Sequence, residues 1–290
     1  MKFWQMLHWV EPDQLLPIAQ FAEELGFEGV MLGDHAVYPE VVNTVYPYSP
    51  DGKPPMTHAS PYPDCWIALG MIAAVTSRLK LSVSVYVLPL RNPIEVAKAT
   101  GTLAVMSNNR VVLGAGSGWM KEEFDAYGVD FRRRGKRLDE CMEIARKIWT
   151  GDMVSHAGSE FQFDACRVLP APSQPVPIYL GGVSAPALRR TAEKADGWIG
   201  NGTDPDDVPG VLAQLQKLRA AAGRDHLPFE TVIGLTRPAN VDTLKRLRDA
   251  GMTAGCSAPF MFSLGPQSSL DEKRRLMEQF AKDYIQPLQE

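Results

Sequence analysis

Short apolar runs bounded by glycine or proline alternate along this chain with longer stretches in which apolar residues recur every three or four positions. The runs read as buried strands and the helical spacing reads as helices that cover them. The first strand is predicted over 2–10. A helix follows whose Leu15, Leu16, Ile18, Ala19, Ala22 and Leu25 share one face and which stops at Gly26. A strand over 29–33 leads into Asp34 and His35. From 36 to 63 the chain is rich in Pro, Tyr and Gly and predicts no regular element. Connections in compact domains usually run about 4–6 residues, so a loop of this length is read as functional.

A helix over 64–77 precedes a strand over 81–88 that closes on Pro89, and Pro93 opens a helix that runs to 107. Val111, Val112 and Leu113 then pass directly into the small-residue turn Gly114, Ala115, Gly116, Ser117, Gly118. Helices over 121–128 and 134–149 follow, then a β-excursion over 154–169. Alternation resumes with a strand over 176–180 ending in Gly181 and Gly182, and Ser184 stands as N-cap of a helix over 185–194. Strands over 197–200, 229–235 and 253–258 alternate with helices over 204–222 and 241–250, and a last helix spans 269–288.

Eight strands with intervening helices predict an α/β fold, a (β/α)8 TIM barrel with insertions, as one domain over 1–290. An open doubly wound sheet is the rival topology. The apolar content of 45% can fill such a core. The net charge of -4 is of mixed sign, and the basic cluster from Arg132 to Arg137 is followed at once by Asp139 and Glu140, which argues against nucleic acid as partner. No run approaches the roughly 18 apolar residues of a membrane span, and the first residues lack the pattern of a signal peptide. Four scattered cysteines without a paired spacing read as reduced thiols of a cytoplasmic protein, and no metal site is expected.

In a barrel, small and polar clusters at strand carboxyl ends mark the ligand side. Here they are Asp34 and His35, residues 84–88, residues 114–119, residues 181–184, and Asn201 with Gly202. His35 is a candidate acid or base whose tautomer Asp34 would set; the alternative is a loop cap beside a packed ring. Gly181, Gly182, Val183 and Ser184 present backbone N–H groups at a helix start, which suits a phosphate. Trp119 and Trp198 either wall a flat ligand or fill core space. Arg132, Arg133 and Arg134 read as a solvated face. Neither a zincin, a P-loop nor a nucleophile-elbow motif is present.

The order of these pieces resembles the bacterial-luciferase-like family of flavin and deazaflavin oxidoreductases, in particular its coenzyme F420-dependent branch. The resemblance is carried by GFEGVMLGDH, by YPYSPDGKPP, by the run from TSRLKLSV to GKRLDE, and by PIYLGGVSAPALRRTAEKADGW. It implies a (β/α)8 barrel with the cofactor ring at the strand carboxyl ends. It also implies a non-prolyl cis peptide at Ser84–Val85 behind the ring, contacts from Gly116 and Ser117, and a phosphate on Gly181, Gly182, Val183 and Ser184. His35 takes the place of the family's histidine near the reactive face, with Asp34 beside it. Ser117 stands where sugar-phosphate dehydrogenases of the family carry a glutamate proton donor, which speaks against glucose-6-phosphate as substrate. Three functions follow: hydride transfer between F420 and a small organic substrate, an FMN-dependent monooxygenase, or a barrel that binds flavin or deazaflavin without turnover. The resemblance also implies a homodimer, with the apolar faces of the helices after the second and third strands as contact surfaces.

Overall fold

The computed structural model describes residues 1–49 and 51–288; Pro50 of the long loop and the last two residues of the expected 1–290 domain lie outside the described residues. Strands β1 (Lys2–Met6), β2 (Gly29–Leu32), β3 (Lys80–Val83), β4 (Tyr86–Val87), β5 (Val111–Gly116), β8 (Ile178–Gly181), β9 (Gly197–Ile199), β10 (Glu230–Ile233) and β11 (Ala254–Cys256) are joined by parallel pairings throughout. β6 (Val154–Ala157) and β7 (Gln162–Cys166) form a separate antiparallel hairpin, the expected excursion. The pairing of β3 with β5 closes the sheet. β3 and β4 are two halves of one stave, so the cylinder has eight, as the (β/α)8 TIM barrel expectation requires.

Helices α1 (Leu15–Glu24), α2 (Cys65–Val75), α3 (Pro93–Met106), α4 (Lys121–Ala126), α5 (Arg134–Ile148), α6 (Ala185–Lys194), α7 (Val208–Ala221) and α8 (Val241–Asp249) follow the strands. Alternation within each strand divides the apolar residues between two layers. Trp4, Met31, Val112, Tyr179, Ile199 and Val232 form one buried cluster inside the cylinder. Phe3, Val30, Leu81, Leu113 and Ile178 point outward and join Ile18, Leu69, Ala97, Ile144 and their neighbours on the helices. A second outer cluster around Trp198, Leu212, Ile233 and Leu247 covers the α7 and α8 side. Trp198 is therefore core, one of the two fates open to it from sequence.

Several boundaries depart from the periodic reading. The first strand ends at Met6 because the backbone turns at Trp9, which has φ +58°. The stave expected as a continuous strand over 81–88 is interrupted at Ser84–Val85, a non-prolyl cis peptide. Across that break the third stave holds one residue more than its partner, because Ser82 faces Val112 whereas Tyr86 faces Ala115. α7 starts at Val208 and not at 204, because Asp204 is engaged in a turn with Asp206 N–H and Arg237. Beyond β11 the chain forms a short helix α9 (Met261–Leu264), which the pattern did not reveal, and then α10 (Leu270–Phe280), a π-turn over Ala281–Ile285, and α11 (Gln286–Leu288). Lys273 of α10 is buried and donates to Glu11 at 2.6 Å, to Gln14 at 2.9 Å and to the Ser268 carbonyl at 2.7 Å, which ties the carboxyl-terminal helices to the foot of α1.

Candidate functional site

β2 runs out at Leu32, and the three residues after it turn over the barrel mouth. Asp34 accepts from the Val87 N–H at 2.8 Å and from Arg91 Nη2 at 2.9 Å. Burial pushes the Asp34 carboxyl above its ordinary range, and the Arg91 guanidinium and the Val87 N–H act against that shift. Asp34 thus belongs to a salt bridge that anchors the β4 end of the split stave. It does not orient His35, whose Nδ1 lies 3.2 Å from Glu123 Oε2. The other oxygen of Glu123 accepts from the Ala36 N–H at 2.5 Å. Glu123 comes from α4, and its side chain is 1% exposed against 8% for His35. A buried carboxylate with two donors, one of them a titratable ring, is an unusual investment for a surface helix of six residues.

Aromatic rings surround this pair. His35 meets Tyr62 and Trp119 edge-on at centroid distances of 5.1 and 6.0 Å, and Tyr46 meets Trp119 at 5.0 Å. Trp9 Nε1 donates to the Tyr62 hydroxyl at 2.6 Å. The loop over 36–63 therefore crosses the mouth, as its length suggested. It is tied down by Glu122, which accepts from the Asn43 N–H at 2.8 Å and from Thr44 Oγ1 at 2.7 Å. Clefts of about 290 and 260 Å3 lie elsewhere, one at the opposite end of β8 to β10 and one on α6.

Below the loop the split stave shapes the floor. The Val85 side chain occupies the space that Gly116 and Gly181 leave: a Cβ at Gly116 would stand 2.4 Å from Val85 Cγ2, and one at Gly181 2.8 Å from Val85 Cγ1. Ser84, Val85, Gly116 and Gly181 are thereby brought together. Ser84 Oγ accepts from Asn201 Nδ2, while Asn201 Oδ1 is buried without a partner. His8 Nε2 is likewise buried and unpartnered. Burial pushes the His8 imidazole down to about 4, against the opposing effect of nearby Ser84 and Leu32 backbone, so it is neutral at pH 7. Sequence reasoning passed over His8 because the predicted strand ran through it.

Ser117 follows β5 at the rim. The turn after β8 differs from a fully open anion cradle. Gly182 has φ +108°, and its carbonyl accepts from Trp198 Nε1 at 3.0 Å. Ser184 Oγ takes the Ala187 N–H at 3.4 Å as the expected cap, and Pro186 has no N–H, which leaves that of Ala185 in the first turn. Val183 is 46% exposed beside it. Sequence reasoning also missed Glu123. A signal existed in the paired acids Glu122 and Glu123 opening α4 directly after the glycine-rich turn, but acidic residues in a first turn are ordinary.

Comparison with known proteins places this architecture. Residues 3–275 match the family model described as luciferase-like monooxygenase. A Mycobacterium tuberculosis protein described as uncharacterized is 38% identical over 274 residues, covering 93% of this chain and 94% of that one. An F420-dependent glucose-6-phosphate dehydrogenase from Microbacterium testaceum is 32% identical over 228 residues, 77% of this chain and 63% of that protein. Among solved structures, a monooxygenase from Streptomyces bottropensis superposes with a TM-score of 0.79 at 18% identity, covering 99% of each chain.

Proposed function

The chain belongs to the luciferase-like monooxygenase family, and from that premise we propose that it is an oxidoreductase that moves a hydride between coenzyme F420 and a small organic substrate. The observation that carries this reading is the placing of His35: a buried imidazole at the carboxyl ends of the strands, beside a glycine-walled floor and under an aromatic roof. Its sequence likeness to an F420-dependent dehydrogenase supports the cofactor.

The residues present fit a flat ring with a polar edge. Val85 backed by Gly116 and Gly181 offers a smooth apolar surface, with Ser84 behind it and Ser117 at its rim. The orphaned Asn201 Oδ1 accepts and the neutral His8 Nε2 is free to pair with an amide-like edge. Gly181, Gly182, Val183 and Ser184 lead to the α6 N-terminus, where the Ala185 N–H and the helix dipole favour an anionic tail. When bound, F420 supplies the hydride acceptor or donor at its C5. His35 exchanges the accompanying proton with the substrate oxygen, and the closed loop excludes water. Asp34 serves this reaction through Arg91 and Val87 by holding the split stave in place.

Fluorescence titration of the purified protein with F420 and, separately, with FMN tests the proposal. We expect micromolar affinity for F420. Micromolar affinity for FMN with none for F420 would transfer the assignment to an FMN-dependent monooxygenase.

The proposal includes a second copy of the chain as partner. α2 and α3 lie side by side, and their outward positions Ile67, Met71, Val75, Val105 and Met106 are exposed, the last at 80%. Exposed apolar side chains on two neighbouring helices suit an association face. Ile67→Glu with Met71→Glu is expected to convert a dimer to a monomer in sedimentation velocity without loss of fold. A parent protein that sediments as a monomer contradicts this.

A further inference from the structure

We propose that the cleft at the foot of the barrel is a second ligand site, selective for a small organic cation: an ammonium group carried on an apolar or aromatic body. The cleft measures about 290 Å3 and lies where β8, β9 and β10 begin, at the other end of these strands from Gly181 and Asn201. Its walls are of two kinds. Pro177, Leu227 and Phe229 are apolar, and the polar side chains are Tyr179, Asp196 and Glu230. Both ionised groups of the lining are therefore carboxylates. Their basic partners do not line it: Lys2 meets Glu230 at 2.9 Å and Arg146 meets Asp196 at 2.8 Å.

The Tyr179 hydroxyl distinguishes this cleft from a gap between strand starts. Tyr179 is 5% exposed and belongs to the inner cluster of the cylinder. A Cβ at Gly197 would stand 2.6 Å from Tyr179 Cδ1, so the ring lies tight against the start of β9. A buried phenol ordinarily finds a hydrogen-bond partner. Among the described residues no hydrogen bond involves this one, and its oxygen is not sealed from solvent; the open space beside it is the cleft. Burial and the carboxylates of Glu230, Asp196 and Glu28 all push the phenol above its ordinary range, and no basic group counters them. The hydroxyl is thus neutral and stands in a negative field.

A second acceptor is unengaged. Asp196 Oδ2 accepts from Arg146 and from the Ile178 N–H at 2.9 Å, whereas Oδ1 makes no hydrogen bond and stands 3.9 Å from Arg224 Nη2. Glu230 has both oxygens engaged, by Lys2 and by Thr253 Oγ1 at 2.6 Å. An ammonium group offers three donors and no acceptor, which suits Tyr179 Oη and Asp196 Oδ1 together. Phe229 already attracts one cation, since the Arg219 guanidinium lies 4.1 Å from its ring centroid. The apolar walls take the body of the ligand, and the size of the cleft keeps that body small. An anion meets only carboxylates and a phenol there. Because the cleft and the mouth are at opposite ends of the strands, an occupant leaves the mouth free.

Isothermal titration of the full chain with 2-phenylethylamine, 2-phenylethanol and phenylacetate, which share one body and differ in charge, tests the proposal. The amine is expected to bind at one site with a Kd of about 0.1–1 mM, and the other two at least about tenfold more weakly. Tyr179→Phe removes an oxygen that the fold does not use. It is expected to weaken the amine about five- to tenfold and to leave the thermal midpoint unchanged. Leu227→Trp fills the cleft from its exposed edge and is expected to abolish binding. Absence of amine binding up to about 10 mM overturns the site. So does an unchanged amine affinity in folded Leu227→Trp, which would put the bound amine elsewhere. Equal affinity for phenylacetate overturns the selectivity for a cation.

Discussion

Gly114→Ala is expected to lower the thermal midpoint by roughly 10 °C or more. A Cβ at Gly114 would stand 1.9 Å from the Val83 carbonyl oxygen, 2.9 Å from Ile199 Cδ1 and 3.0 Å from Ser82 Oγ. The closest of these is backbone, which cannot rotate away as a side chain can. It is also backbone in the stave that closes the barrel, since β3 pairs with β2 on one side and β5 on the other. At this level only a residue without Cβ leaves room for the Val83 carbonyl. Relief requires β3 and β5 to separate, at a cost of about 4 kcal/mol, the upper end for an overpacked core. Gly210→Ala is the control. It lies in α7 with nothing within 4 Å of a new Cβ, and alanine there is expected to raise stability by at most about 1 kcal/mol. Equal melting of Gly114→Ala and the parent would mean that the staves do not meet as described.

His35→Gln is expected to reduce turnover by about 10²–10⁴-fold while leaving F420 affinity unchanged. The imidazole stands at the rim of the floor and touches Glu123, Tyr62 and Trp119, none of which it holds in the fold through the core. Glutamine preserves a donor toward Glu123 and fills similar space, yet it has no group that takes a proton near neutral pH. Stopped-flow measurement of F420 absorbance with small alcohols and carbonyls separates the two parameters. A loss of affinity with an unchanged rate constant would make His35 part of the cofactor wall and remove it from proton transfer.

These expectations draw unequally on sequence and structure. The eight-stave barrel was legible because each strand and helix announces itself through its own periodicity and its own stops, such as Gly26, Pro93 and Ser184. His35 and Asp34 were legible as site candidates for a related reason: they end a strand, and a barrel presents strand ends to its ligands. Resemblance placed the break at Ser84–Val85, which the apolar run over 81–88 conceals. Asp34 was legible in position but not in partner, since its nearest titratable neighbour along the chain is His35 whereas its salt bridge is to Arg91.

Local pattern therefore determined the order of elements, the closed architecture they favour and the end of the barrel that carries the site. Only tertiary structure decided that Glu123 meets His35, that Asn201 meets Ser84, that Trp119 lines the mouth while Trp198 fills the core, and that His8 Nε2 is buried without a partner. Periodicity records which face of an element is buried, and that is settled within a few residues. The partner of a polar side chain depends on which elements the closed barrel brings side by side, and no short window of sequence contains both members of such a pair.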